Sequence, residues 1–275
     1  MLRQRLLTAL VLVPLVLWAT LALPGAWFGL LLALLVALGA WEWGGFAQLD
    51  RRVPRLAYAA VVLVGIGLVA VGMQAAPPVR EAVLVLGLLW WLLSLQWIAR
   101  FPSVNRLLIG RSGRLVSGVI ILVVAWVAVF SLHASPLYGP HFVIFLLALV
   151  WAADSAAYFA GRRWGSRRLA PAVSPGKTWE GVWGAVVATA LLAGLAAIWY
   201  GLPAAGVFGF VLLCEVTVAF SIVGDLVESL FKRMAGLKDS GGLLPGHGGV
   251  LDRVDSLTAA APVFLLGLWL MRIPA

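Results

Sequence analysis

Charge is scarce in this chain: 20 basic and 11 acidic residues make up 11% of 275, against 63% hydrophobic residues. A soluble domain cannot cover its surface with so few polar groups, and a mean hydropathy of +1.04 excludes one. Cysteine is scarcer still. The single Cys214 excludes an internal disulfide and a cysteine-based zinc site. Acid is nearly missing from the first half, where only Glu42, Asp50 and Glu81 precede Asp154, and lysine is confined to Lys177, Lys232 and Lys238. No internal repeat or low-complexity tract stands out.

What the chain has instead is long apolar runs. Nine of them, at about 6–23, 27–43, 56–73, 81–99, 115–132, 142–161, 181–200, 205–228 and 256–271, approach or reach the ~20 residues that span a bilayer. The expected fold is therefore all-α, a polytopic integral membrane protein with about nine transmembrane helices. The connections 24–26, 74–80, 133–141 and 201–204 hold one basic residue, Arg80, whereas the N-terminus and the alternate connections hold 18 of the 20. Positive residues mark the cytoplasmic side, which places the N-terminus there and the C-terminus outside. The net charge of +9 is thus a topology signal, and no nucleic-acid partner is expected. The first run, with Arg3 and Arg5 before it and small residues near Ala22, also has the features of a signal peptide. It exceeds the usual h-region of ~7–15 residues and is read as a span.

The first five spans, residues 1–140, read as scaffold, and the chemistry is expected in residues 141–275, on cytoplasmic loops 162–180 and 229–256. The stretch from Ser229 to Asp255 gathers Lys232, Arg233, Lys238, Asp239, His247, Asp252, Arg253 and Asp255 between two apolar runs. Gly236, Gly241, Gly242, Gly246, Gly248 and Gly249 permit unusual backbone and close approach of a ligand to main-chain N–H groups. The stretch reads as a polyanion site.

Three features there carry chemistry. Asp225, Glu228, Ser229 and Lys232, at spacings of three, four and seven, share one polar helix face at the end of the eighth span. Two readings stay open for them, an ion pair of Lys232 with Asp225 or Glu228, and ligation of a metal. Asp252 and Asp255, facing that helix end with no His or Cys cluster beside them, offer hard oxygen ligands suited to Mg²⁺. The alternative is that Asp252 and Asp255 merely cap the ninth helix, for which Asp255 or Ser256 is well placed, and of the two acids Asp252 is favoured for function. His247, between glycines, is isolated from any zinc ligand, and reads as a phosphate donor or as an ordinary loop histidine.

The third feature is the loop 161–181. Gly176, Lys177 and Thr178 resemble a phosphate loop, but Pro171 stands where that motif needs its first glycine and no strand is expected before it, so nucleoside triphosphatase chemistry is rejected. Ser174 and Pro175 fit a turn, Thr178, Glu180 and Gly181 fit a helix start with free N–H groups, and Lys177 is placed to reach an anion. Arg162, Arg163, Arg167 and Arg168 read as topology signals or contacts to anionic lipid ahead of direct catalysis. Asp154, with Tyr158 one turn later, is expected to pair with a loop cation or to line the site.

The residues Ser229, Phe231, Lys232, Arg233, Lys238, Asp239, Gly241, Leu244, Pro245, His247, Gly248, Gly249, Val250, Asp252, Arg253, Val254 and Asp255 fall at the spacing that marks the phosphatidate cytidylyltransferase family. Ser174, Pro175, Lys177, Thr178, Glu180 and Gly181 resemble that family's second, shorter motif. The likeness rests on about the last 125 residues. It implies transfer of a cytidylyl group from CTP to phosphatidate in phospholipid biosynthesis, giving CDP-diacylglycerol and pyrophosphate, with Mg²⁺ and a second, monovalent cation such as K⁺. It implies further that Asp225 and Asp252 hold the metal centre and that Lys177, Lys232, Arg233, Lys238 and His247 serve the triphosphate and lipid phosphate. Ser174, Thr178 and Arg253 are grouped with those phosphate contacts, while Asp239 and Asp255 position the cations or extend the metal shell. The same likeness implies a homodimer in the inner membrane of a bacterium, with the site facing the cytoplasm.

Two other classes stay in view. A transporter would place charge and broken helices near the bilayer midplane, whereas charge here gathers at the cytoplasmic edge. A CDP-alcohol phosphotransferase would also use acids and Mg²⁺, but its D-G-x2-A-R run is absent.

Overall fold

The structure, a computed structural model, describes residues 2–76, 78–103, 110–243 and 248–273. Helices α1 (Leu2–Ala22), α2 (Gly25–Phe46), α3 (Arg52–Ala75), α4 (Pro78–Arg100) and α5 (Arg111–His133) make up the first part of the chain. Helix α6 (Gly139–Trp164) follows, then a hairpin of β1 (Arg168–Ala170) and β2 (Ser174–Thr178), then α7 (Trp179–Trp199), α8 (Ala204–Ala235) and α9 (Leu251–Leu270). Among the described residues, the eight helices α2 to α9 are long and apolar enough to cross a membrane, and α1 adds a shorter apolar stretch, Leu10–Ala22. The protein is an all-α, polytopic integral membrane protein.

Helix α5 is the most enclosed of the eight and packs against α2, α3, α4, α6 and α9. Aliphatic side chains fill most of that interface. Buried aromatic residues settle their polar tips on main-chain oxygens nearby: Trp43 Nε1 donates to Arg114 O at 2.8 Å, Tyr58 OH to Leu115 O at 2.8 Å and Trp126 Nε1 to Gly29 O at 3.0 Å. A polar group without such a partner would be costly in hydrocarbon, so each bond also fixes the rotation of one helix against another. Small residues set the closest approaches. A Cβ at Gly87 would meet Val124, one at Gly118 would meet Trp43 and Tyr58, and one at Gly224 would meet the backbone of α9.

Residues 141–275 differ from the sequence reading in three places. The eighth apolar run ends near residue 228, yet helix α8 runs 32 residues to Ala235, so Ser229 and Lys232 lie on it as the polar-face spacing expects and Arg233 is helical as well. At 1.5 Å per residue it is about 48 Å long, well beyond a hydrocarbon core of about 30 Å, so its charged end projects from the bilayer. Falling hydropathy marks where the membrane ends, and the helix itself stops only at Gly236, whose φ of 71° forms a left-handed cap. Helix α9 starts at Leu251, ahead of the expected 256, so Asp255 lies one turn inside it and the capping role offered to Asp255 or Ser256 is not observed. Helix α8 thus ends at Ala235 and α9 begins at Leu251, inside the expected loop bounds of 229 and 256.

The third difference is the hairpin, which stands in place of the expected loop and turn. Arg168 pairs with Thr178 and Ala170 with Ser174, so Gly176, Lys177 and Thr178 do lie on a strand that runs straight into α7. The Walker spacing still fails. Thr178 caps α7 as anticipated, its Oγ1 accepting from Gly181 N at 3.2 Å. Glu180 then secures the approach to the hairpin, accepting from Ser166 N at 3.0 Å, Ser166 Oγ at 2.6 Å and Arg167 N at 3.2 Å.

Candidate active site

Strand β2 brings Lys177 against the charged end of α8. Lys177 Nζ lies 2.6 Å from Asp225 Oδ2, and Ser229 Oγ donates to Asp225 Oδ1 at 3.2 Å. One turn further along α8, Lys232 Nζ sits 3.1 Å from Glu228 Oε1 and 2.7 Å from Asp252 Oδ1 on α9. Of the two ion pairs left open for Lys232, one is observed. The Glu228 to Lys232 pair exists, while Asp225 turns to Lys177 instead of Lys232.

Asp252 is held more fully than the other acids of this cluster. Besides Lys232 on Oδ1, its Oδ2 accepts from Ser240 N at 2.9 Å, Ser240 Oγ at 2.9 Å and Gly249 N at 2.9 Å. The N–H groups of the loop and of the entry to α9 therefore converge on one carboxylate oxygen. Asp255 Oδ1 accepts from Ser256 N at 2.7 Å and lies within electrostatic range of Asp225, Lys232 and Lys177. Asp154 on α6 interacts in the same way with Lys177, Asp225 and Arg253. Five carboxylates from three helices form one cluster.

Beside this cluster a cavity of about 490 Å³ opens between α6, α7, α8 and the hairpin. Asp154, Arg162, Arg168, Lys177 and Asp225 give it a charged lining, and Ala157, Val182 and Ile222 give it an apolar one. Such a cavity can take a molecule with a polyanionic head and a greasy body. Arg162, whose Nη1 donates to Tyr158 OH at 3.1 Å, and Arg168, read from the sequence as topology signals or lipid contacts ahead of catalysis, both line this cavity. Their clustering beside the shorter motif is the clue the sequence offers.

Of the residues anticipated for the site, Lys177, Thr178 and Asp225 line the cavity. Lys232 and Asp252 form a separate ion pair, and Asp255 lies within electrostatic range of Asp225 and Lys232. Arg233 points to the hairpin, its Nε donating to Val173 O at 3.3 Å, and Ser174 pairs with Ala170 in the strand. Lys238, Asp239 and Arg253 are exposed. His247 lies outside the described residues.

Sequence reasoning misses Glu42. It comes from α2, is 2% exposed, and accepts from Ser240 Oγ at 3.1 Å, Val250 N at 3.0 Å and Leu251 N at 2.9 Å. It is one of only three acids in the first 153 residues and stands inside an apolar run, which is the one signal the sequence gives of it. Its presence also explains two loop glycines. A Cβ at Gly241 or Gly249 would strike the Glu42 carboxylate, so these positions admit a protein side chain rather than a ligand.

A network of lysine–carboxylate pairs beside a cavity that is both charged and apolar, at the ends of membrane helices, defines a membrane protein built to handle a polyanion joined to lipid. The chain belongs to the cytidylyltransferase family, whose family model matches residues 3–271. It is 45% identical over 269 residues to a phosphatidate cytidylyltransferase of Pseudomonas aeruginosa, covering 98% of this chain and 97% of that one. A phosphatidate cytidylyltransferase of Haemophilus influenzae is 38% identical over 287 residues, covering 96% and 97%. One from Bacillus subtilis is 41% identical over 134 residues, covering 48% of this chain and 49% of that one.

Proposed function

We propose that the protein is a phosphatidate cytidylyltransferase that transfers CMP from CTP to phosphatidate, releasing pyrophosphate and leaving CDP-diacylglycerol in the membrane. A phosphate oxygen of phosphatidate attacks the α-phosphorus of CTP, a new P–O bond forms, and the bond to the β-phosphate oxygen breaks. The nucleophile belongs to the lipid, so the protein's work is to bring two polyanions into line and to stabilise charge on the departing pyrophosphate. Lys177 at the cavity supports this reading most directly, because it is a cation already turned inward, with Asp225 as its ion-pair partner among the described residues. Arg162 and Arg168 would take the lipid phosphate, and the apolar lining would take the first carbons of its acyl chains.

Mg²⁺ fits the residues present. The donors are all hard oxygens, supplied by five carboxylates, Asp154, Asp225, Glu228, Asp252 and Asp255. Glu228 Oε1 is buried without a hydrogen bond, Lys232 being near but outside bonding geometry. Asp225 and Asp252 would hold the ion. Among the described residues no three acids converge enough to hold a metal alone, so substrate phosphates and water would complete its shell. Bound there, Mg²⁺ would neutralise phosphate charge and assist loss of pyrophosphate. A monovalent ion beside it, a homodimer, and a site facing the cytoplasm of a bacterial inner membrane are proposed on the same family ground.

Mass analysis of the lipid product tests the assignment. Purified protein given CTP, phosphatidate and Mg²⁺ should yield CDP-diacylglycerol and equimolar pyrophosphate, and EDTA should stop both. A different lipid product, or nucleotide crossing the membrane unconsumed, would overturn it.

A further inference from the structure

Glu42 is a buried carboxylate with no lysine or arginine within ion-pair distance among the described residues. Burying a charge in this way is costly unless fixed donors replace water. Here the donors are the first N–H groups of α9 and one serine hydroxyl, drawn from positions about 200 residues away in the chain. The start of a helix favours an anion, so α9 and Glu42 hold one another.

The consequence falls on Asp252. Ser240 Oγ lies 3.1 Å from Glu42 Oε2 and 2.9 Å from Asp252 Oδ2, and its single proton can serve only one of the two at a time. Glu42 also fixes Val250 and Leu251, the residues between Gly249, whose N–H donates to Asp252 Oδ2, and Asp252 itself. Every described hydrogen bond to Oδ2 therefore comes from a segment that Glu42 holds, leaving Oδ1 directed at Lys232. We infer that Glu42, from the half of the chain that otherwise reads as scaffold, is a positioning residue that sets the orientation of Asp252 for a divalent cation and nucleotide. This rests on the reading that Asp252 holds the metal.

Outer-shell partners of this kind typically change metal affinity about 10–100-fold. The test measures the melting temperature of the full-length protein in detergent with CTP present and lipid acceptor absent, as Mg²⁺ is titrated. For Glu42→Gln the Mg²⁺ concentration giving half of the thermal stabilisation should rise at least about tenfold. Ser240→Ala, which removes the shared hydroxyl but keeps the backbone, should shift it in the same direction by less. A purely structural role would lower the melting temperature without moving the Mg²⁺ midpoint. A folded Glu42→Gln protein with the wild-type midpoint overturns the inference, and if that variant does not fold, an unmoved midpoint in Ser240→Ala does so. Asp252→Asn separates the two readings: if it removes the Mg²⁺ response while the other variants keep it, only the role of Glu42 fails, and if it too responds normally, the metal reading fails and takes this inference with it.

Discussion

Lys232 is the side chain whose removal separates folding from chemistry most sharply. Its ammonium stands between Glu228 and Asp252, and the three side chains are only 14%, 4% and 8% exposed. Breaking a buried pair by deleting one partner costs about 3–5 kcal/mol, because the remaining charge stays buried. Asp252 keeps three donors from Ser240 and Gly249, whereas Glu228 has no other described partner, so most of the penalty falls on Glu228 and the lower end of that range is expected for Lys232→Met. Adding Glu228→Gln should remove the orphaned charge and restore most of the stability. It should not restore cytidylyl transfer, because Asp252 Oδ1 still lacks the lysine that holds it. Thermal unfolding in detergent beside a transfer assay checks both halves. If Lys232→Met melts with the wild-type protein, or if the double variant regains activity with stability, the ion-pair network does not act as described.

Gly249→Ala would push a methyl group into Ser240 and Glu42, so a loss of about 1–3 kcal/mol is expected, while Gly242→Ala, with open space around it, should stay within about 0.5 kcal/mol; unfolding of the two side by side decides. Arg168→Ala should raise KM for phosphatidate by about tenfold, the loss of one charged contact, with KM for CTP less affected. Lys238→Ala, at an exposed position, should raise KM for CTP more than for phosphatidate, and the opposite pattern would move Lys238 to the lipid side.

Apolar runs announce nearly every helix, because a membrane span must satisfy its own backbone and therefore needs an unbroken hydrophobic stretch. Their ends are less visible. Hydropathy falls where α8 leaves the bilayer, but nothing in Ser229, Lys232 or Arg233 disfavours helix, and the stop is set by Gly236. The hairpin is obscured because Pro175 and Gly176 normally signal a turn, while here they sit on a two-stranded ribbon held by Thr178 and Glu180. Asp225, Asp252 and the lysines are legible as a group, since a charge placed at the edge of so apolar a chain must serve either topology or chemistry, and acids do not serve topology. Which acid meets which lysine is not legible, because Lys177 reaches Asp225 from a separate element. Glu42 shows the limit most plainly, since its partners lie at positions 240, 250 and 251 and no local pattern links them.

We propose that the charged cluster on α8 and α9 carries cytidylyl transfer to a lipid phosphate. The most direct test follows label from α-³²P-CTP into chloroform-extractable lipid, using purified protein, phosphatidate micelles and Mg²⁺, with Asp252→Asn alongside. Label should appear only when phosphatidate and Mg²⁺ are both present, and should fall to background in a variant that remains folded. Substantial label from folded Asp252→Asn at saturating Mg²⁺ would contradict the role given to the cluster, and no label from the folded wild-type protein would contradict the activity itself.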